Sequence, residues 1–132
     1  MLRYLLDISI CIDVIKQRPA QMLDRFNSHS SHMAISAITL SEWLHGVEKS
    51  ADPQRNLAVV ENFRGRPDVL PYGSKACLHY GQIRAGLERQ GLPIGANDLH
   101  IAAHSRSEGL TLVSNNLREF QRVDGLLLEN WV

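Results

Sequence analysis

The chain has 132 residues, which is the size of one domain and too few for two ordinary ones. Its 14 basic and 14 acidic residues cancel, which excludes a surface of uniform charge that binds nucleic acid without specificity. No run of 18 apolar residues is present, and the N-terminus lacks the pattern of a secretory signal. We therefore expect a cytoplasmic protein that does not enter a membrane.

In the first half of the chain, short apolar runs alternate with helical patterns. The spacing predicts a buried strand at residues 3–6, a short helix at 10–16, a helix opened by Pro19 that ends near 27, and a second strand at 33–36. A strong helix then begins at Thr39, since apolar residues recur from there at steps of three and four.

The second half repeats this alternation. We expect a helix from Pro53 to near Gly65 that buries Leu57, Val60 and Phe63, and a strand at residues 69–71 that Pro71 places at a sheet edge. Next come a long helix at 74–90 with Leu78 inside, ended by Gly91, and a helix capped by Asn97 and closed by Gly109. A strand at 110–114, a short helix and a last strand at 126–128 complete the chain.

Such alternation predicts an α/β fold: a single domain over residues 1–132 whose short, mainly parallel sheet has helices on both faces. In a parallel sheet, groups at the carboxyl ends of the strands converge on one crevice. The functional residues should therefore lie at that edge of the sheet.

Four acidic residues occupy positions that this topology brings to the crevice: Asp7, Glu42, Asp98 and Glu119. Oxygen ligands of this kind select Mg²⁺ or Mn²⁺ rather than zinc. Without a cation the carboxylates repel one another, so at least one of them should take up a proton. With a cation, they suit the hydrolysis of a phosphodiester by water.

Each of these acids also has a purely structural interpretation. Residues 39–42 match a capping box, in which Glu42 satisfies an amide at the helix end. Asp98 suits the positive end of a helix dipole, and Glu119 resembles a solvated surface acid. Asp7 is harder to interpret in this way, because a charge beside a buried strand needs a partner.

Other residues with metal-binding or redox chemistry carry weaker signals. The pairs His29/His32 and His100/His104 have helical spacing but lack the companions of a zinc motif, so we expect no histidine-bound metal. Cys11 and Cys77 both have apolar neighbours, and we interpret them as buried thiols without a disulfide.

Four segments in order give the chain a specific resemblance. Asp7-Ile8-Ser9, residues 35–42, residues 95–104 and residues 112–120 resemble the motifs of the PIN-domain ribonucleases, and especially the VapC-type toxins of bacterial toxin–antitoxin pairs. The resemblance covers essentially the whole chain. It implies a three-layer α/β/α PIN-like fold and a Mg²⁺- or Mn²⁺-dependent endoribonuclease that cuts structured RNA, commonly tRNA. It also implies a cognate VapB-type antitoxin as partner and a homodimer.

Carried over by position, Asp7, Glu42 and Asp98 match the family's metal-binding acids. We expect Asp7 and Asp98 to hold the metal, and Glu42 to bind it directly or through water. Glu119 matches an acid that completes the site in some members and would orient the attacking water. Arg84 and Arg89, on the long helix, either steer the RNA backbone or belong to a solvated helix face.

Two positions depart from the family pattern. Ile8 replaces a threonine, although Ser9 can take over its hydroxyl role, and Asn116 stands where many members carry a further aspartate. These departures favour an alternative function, in which a catalytically impaired PIN-fold module acts only by binding. A phosphoacceptor signalling domain also gathers acids at strand ends, but the lysine that it needs after its last strand is missing here.

Overall fold

A computed structural model describes residues 1–16, 20–29, 31–64 and 67–131, with only the backbone of residues 20–22 and 64. Pro19 and Gly65, each predicted at a helix end, lie outside the described residues. Five strands and seven helices occur within these ranges. In chain order they are β1 (Tyr4–Leu6), α1 (Ile8–Lys16), α2 (Ala20–Ser28), β2 (Met33–Ser36), α3 (Ala37–Lys49), α4 (Pro53–Arg64), β3 (Asp68–Leu70), α5 (Ser74–Arg89), α6 (Ala96–Glu108), β4 (Thr111–Val113), α7 (Leu117–Phe120) and β5 (Leu127–Glu129).

The strands form one sheet in the order β3-β2-β1-β4-β5, and every neighbouring pair is parallel. β1 lies at the centre, with Leu5 opposite Ala34 of β2 and Leu112 of β4. β3, with Pro71 directly after it, lies at one edge as predicted. The α/β class and the parallel sheet are therefore confirmed.

Helices cover both faces of the sheet, because side chains along each strand alternate between two cores. Leu5 packs in a core with residues of α5 and α6, such as Ile83 and Ile101. Its neighbour Leu6 packs on the other face, in a core to which α1, α2 and α4 contribute. Burial on both faces explains why the strands are continuous apolar runs, and it confirms the three-layer arrangement.

Three predicted helix starts are wrong, and two of the corrections affect the site. α1 begins at Ile8, two residues earlier than predicted. α3 begins at Ala37 and is capped by Ser36, whose hydroxyl accepts a hydrogen bond from the backbone N–H of Ile38 at 3.1 Å. β2 therefore passes directly into α3, and Glu42 lies in the second turn, too far along to close a capping box. Likewise Gly95, not Asn97, occupies the cap position of α6.

The predicted glycine at the end of α5 is confirmed. Gly91 has φ +68°, and the N–H of Leu92 binds the carbonyl of Leu87 at 2.9 Å, while the N–H of Gly91 binds that of Glu88 at 3.1 Å. This pair of bonds satisfies the last carbonyls of the helix and turns the chain sharply. The turn brings the start of α6 beside the end of α5.

Two apolar positions and one thiol differ from expectation because their helices pack on one side only. α5 buries Ala76, Ile83 and Leu87, so Cys77 is exposed and Leu78 is 63% exposed. Leu57 of α4 is 40% exposed. Cys11 is buried, as predicted, and both thiols are free. Across the described ranges, no helix combines the length and the apolar character needed to cross a membrane.

Candidate active site

Asp7 lies at the carboxyl end of the central strand and is only 5% exposed. Its Oδ1 accepts a hydrogen bond from the N–H of Ile8 at 2.9 Å. Its Oδ2 accepts two more, from the Ser9 hydroxyl at 3.1 Å and the Ser114 hydroxyl at 2.8 Å. Three donors compensate the cost of burying this carboxylate and fix its orientation. Ser9 thus makes the hydroxyl contact that Ile8 cannot provide.

Ser114 was missed by the sequence analysis, although it is fully buried beside Asp7. It follows β4 directly, just as Asp7 follows the neighbouring strand β1. Its hydroxyl donates to Asp7 and accepts from the N–H of Asn116 at 2.9 Å. A polar residue directly after a buried strand was the signal that identified Asp7, and it applied equally to Ser114.

Asp98 and Glu119 form a hydrogen-bonded pair of carboxyl groups. Burial raises the pKa of Asp98 to about 7, helped by the hydrogen bond to Glu119 and by the negative charges of Asp7, Glu119 and Glu42. The same bond lowers the pKa of Glu119, which also interacts with Asn116 and the backbone of Gly95. The shared proton therefore resides on Asp98, and Glu119 is ionised.

The four predicted acids meet at the carboxyl edge of the sheet. The negative charges of Asp7, Glu42 and Glu119 all act on Asp98, although β1, α3, α6 and α7 contribute these residues from distant parts of the chain. Their repulsion raises the pKa of Asp98, which is the direction expected from the sequence. The structural interpretation of Glu42 as a capping residue is wrong, because α3 begins at Ala37. Glu119 is partly exposed, as the interpretation of a solvated acid expects, and it is also hydrogen-bonded to Asp98.

The residues present fit a hard divalent cation by their chemistry. The available ligands are carboxylate, hydroxyl and amide oxygens, and the negative charges that add to the effect of burial on the pKa of Asp98 are ones that a dication would neutralise. Within the described part of the chain, however, no three acidic, histidine or cysteine side chains are already spaced to hold one ion. Mg²⁺ is usually held by one or two carboxylates with waters at its other positions, so a group of three such side chains is not a condition for binding it.

Asparagines extend the site from the turn after β4. The Asn116 amide donates to Asp98 Oδ2 at 3.4 Å, and the Asn115 amide donates to Asp13 Oδ2 at 3.1 Å. Asn116, in the position of a family aspartate, thus contacts an acid of the site without adding a negative charge. Asp13, on α1, is an outer acid that the sequence analysis did not identify.

The histidines serve packing and hydrogen bonding away from the acids. His104 is fully buried, with its Nδ1 2.7 Å from the Ser36 hydroxyl, and burial lowers its pKa. His100 Nδ1 lies 2.9 Å from the Tyr72 hydroxyl. His29 packs on the rings of Tyr4 and Trp131. Among the described residues, no histidine belongs to a metal-binding group.

Comparisons with known proteins agree with this fold. The family model described as "PIN domain" matches residues 4–126. A protein of Haemophilus influenzae named "Ribonuclease VapC2" is 55% identical over 132 residues, which is 100% of both chains. A "tRNA(fMet)-specific endonuclease VapC" of Shigella flexneri is 53% identical over 131 residues, or 99% of each chain. In a crystal structure of DNA-bound VapBC from Salmonella typhimurium, a chain with 51% identity superposes with a TM-score of 0.95 over 100% of both chains.

Proposed function

The chain belongs to the PIN-domain family, and on this premise we propose that it is a VapC-type toxin, an endoribonuclease that hydrolyses structured RNA with Mg²⁺ or Mn²⁺. The observation that carries the proposal is the placement of four acids at the carboxyl edge of the sheet, where burial, a hydrogen bond to Glu119 and the charges of Asp7, Glu119 and Glu42 raise the pKa of Asp98 to about 7. Two relatives that match this chain over 99% or more of its length are named as a ribonuclease and an endonuclease, and these names support the reaction class.

In this proposal, Asp7 and Asp98 hold the cation, and Glu42 binds it directly or through water. When bound, the cation lowers the pKa of water and stabilises the charge on a phosphoryl oxygen. Asp98 would lose its proton to solvent on becoming a ligand, while Glu119, its hydrogen-bonded neighbour with a lowered pKa, stays ionised beside it. Ile8, Ser9 and Ser114 keep Asp7 fixed during this change.

Glu119 is also suited to orient the attacking water. It is partly exposed on α7, and hydrogen bonds from Asp98 and the Gly95 backbone hold it in place. The charge of Arg122 further favours its ionised form. An ionised carboxylate at the rim can accept a hydrogen bond from water and aim it at the phosphorus atom.

The substrate and partner follow from the relatives. We propose tRNA as the structured RNA, because relatives 53% and 51% identical are named tRNA(fMet)-specific endonucleases. A VapB-type antitoxin would neutralise the protein by covering the crevice, since structural neighbours that span nearly the whole chain were solved as VapBC complexes. The predicted homodimer belongs to the same proposal.

Digestion of total RNA with Mg²⁺, with EDTA and with Mn²⁺ tests the proposal, with sequencing of the product ends. We expect cuts at defined sites that require the cation and disappear in Asp7→Asn, which removes a ligand charge but keeps the side-chain shape. Full Mg²⁺-dependent cleavage by Asp7→Asn would show that this acid is not a ligand. No cleavage by the unaltered protein, with the antitoxin still bound tightly, would instead support the non-catalytic binding module.

A further inference from the structure

A cavity of about 180 Å³ opens at the surface between the end of α5 and the start of α6. Its apolar floor is formed by buried Leu87, Ile94 and Leu99. Tyr80, Arg84 and Glu88 form a polar wall along α5. The residues that surround it therefore offer an aromatic ring, a guanidinium group and a carboxylate to one small volume.

The cavity adjoins the acidic crevice. Ala96 and Leu99, which line it, flank Asp98 in the first turn of α6. Gly95, directly before this turn, interacts through its backbone with Glu119. Ala96 and Leu99, three residues apart, share one side of this helical turn and Asp98 faces another, so the cavity and Asp98 are separated by the diameter of a helix, ~10 Å. A ligand that spans both sites needs to cross only this distance.

The polar wall is organised before any ligand binds. The Tyr80 ring stacks on His100, with centroids 4.4 Å apart and planes inclined by 13°. Arg84 donates to the Tyr80 hydroxyl at 3.0 Å and to Glu88 Oε2 at 3.4 Å. These contacts hold the exposed guanidinium at the mouth of the cavity. Arg84 stays on a solvated face of α5, with its side chain 54% exposed.

We propose that this cavity receives one unpaired nucleobase of the RNA substrate, next to the cleaved bond; the inference rests on the proposed nuclease function. Proteins bind unpaired RNA bases by stacking them on aromatic rings or arginine planes and by hydrogen-bonding their edges. Tyr80 and Arg84 provide these planes, Arg84 provides donors, and Glu88 provides an acceptor for an exocyclic amino group. The apolar floor favours a flat aromatic base over a sugar or a phosphate.

The position beside the crevice also gives the cavity a role in selecting the substrate. A base in a duplex is stacked and cannot enter, whereas a base splayed from a loop can. With the base seated, the adjoining phosphodiester is directed over the first turn of α6 towards Asp98. The enzyme would therefore prefer cuts beside an unpaired nucleotide of a structured RNA.

The test fills the cavity with a side chain and measures whether the resulting increase in KM depends on one base of the substrate. Ala96→Phe places a ring in the cavity from an exposed alanine, and Ala58→Phe, at an exposed alanine of α4 that does not line the cavity, is the matched control. The probe is the RNA hairpin that carries the cut mapped in total RNA. It is compared with copies that have an abasic nucleotide at single positions around the cut.

We expect Ala96→Phe to raise KM for the intact hairpin roughly tenfold to a hundredfold, and Ala58→Phe to leave it unchanged. At one position, an abasic nucleotide should raise the KM of the unaltered enzyme by about as much as Ala96→Phe raises it for the intact hairpin. With that abasic hairpin, Ala96→Phe should cause no further increase in KM. Tyr80→Leu should behave like Ala96→Phe, whereas Tyr80→Phe, which keeps the ring, should retain most of the affinity.

Three results would overturn the inference. The first is an unchanged KM in Ala96→Phe. The second is a loss from Ala96→Phe that multiplies the loss from the abasic nucleotide at every position of the hairpin. The third is a conversion of Ala96→Phe from dimer to monomer in size-exclusion chromatography, which would show that a second copy covers the cavity. Failure of the proposed function is seen separately and earlier, because the unaltered protein would then show no Mg²⁺-dependent cleavage at all.

Discussion

The substitution Asp98→Asn separates the role of this acid in catalysis from its cost to stability. Asparagine has nearly the same shape and is permanently neutral, and its amide can donate to Glu119 as the protonated acid does. We expect it to abolish Mg²⁺-dependent cleavage, because a ligand charge is lost. We also expect the metal-free variant to be more stable than the unaltered protein at pH 8.

The magnitude follows from the electrostatics of the crevice. The pKa of Asp98 rises from 3.8 to about 7 on folding, a shift that corresponds to about 4 kcal/mol for a fully buried group. Because Asp98 is partly exposed, solvent screening reduces this to about 1–2 kcal/mol. For a domain of this size, the melting temperature of Asp98→Asn should exceed that of the unaltered protein by about 3–7 °C.

The pH dependence has a defined sign. Between about pH 4 and pH 7, the folded state keeps a proton on Asp98 that the unfolded state has lost, so stability contributed by this group falls as pH rises through that window. The difference from Asp98→Asn should vanish near pH 4 and be complete at pH 8. Adding Mg²⁺ at pH 8 should restore stability to the unaltered protein, by about 2.7 kcal/mol at 100 times the dissociation constant, and not to the variant.

Thermal unfolding in EDTA at pH 4 and pH 8 measures the stability difference between the two proteins and its pH dependence. A Mg²⁺ titration at pH 8 then measures the stabilisation by the cation. A variant that is less stable at pH 8, or one whose advantage is the same at both pH values, would refute the electrostatic account. Mg²⁺-dependent cleavage by Asp98→Asn at the unaltered rate would refute the assignment of Asp98 as a metal ligand.

Three further substitutions test neighbouring contacts. Ser114→Ala removes a hydrogen-bond donor to Asp7 and an acceptor for the Asn116 N–H. Urea denaturation should show that the free energy of unfolding falls by about 1–3 kcal/mol. An equally stable variant would contradict the role of these hydrogen bonds. Burial lowers the pKa of His104, so its contribution to stability should be complete above about pH 6.5 and fall as pH decreases. Urea denaturation in the Asp98→Asn background isolates this slope, which His104→Gln should remove. Asn116→Asp adds a carboxylate, so calorimetric titration should show tighter Mn²⁺ binding while the metal-free protein becomes less stable; unchanged affinity would place residue 116 outside the metal site.

The architecture could be predicted because its determinants are local in sequence. Strands buried on both faces appear as continuous apolar runs, and their alternation with helices implies a parallel sheet whose carboxyl ends share one edge. Asp7 was identified for this reason, since a charge directly after such a run is too costly to bury without a partner. Gly91 was identified because only a positive φ suits the turn that follows α5.

The errors arose where a local pattern competed with tertiary packing. Residues 39–42 match a capping box, but Ser36, at the end of β2, caps the helix first and also contacts His104, 68 residues away. A contact of that kind has no signature within a short window of sequence. The proton shared by Asp98 and Glu119 could not be predicted from a short window of sequence either, because it depends on burial and on charges from other parts of the chain.

The net charge of the crevice connects the departure at Asn116 with the proposed chemistry. Below about pH 7, four carboxylates less the proton on Asp98 leave a charge of −3, and loss of that proton would leave −4 + 2 = −2 if a dication binds. An aspartate at position 116 would make the site more negative in both states and favour a second ion. The neutral amide instead donates to Asp98 and limits the repulsion. Asn116 is therefore compatible with one catalytic cation, and it does not require the loss of activity that the alternative function assumes.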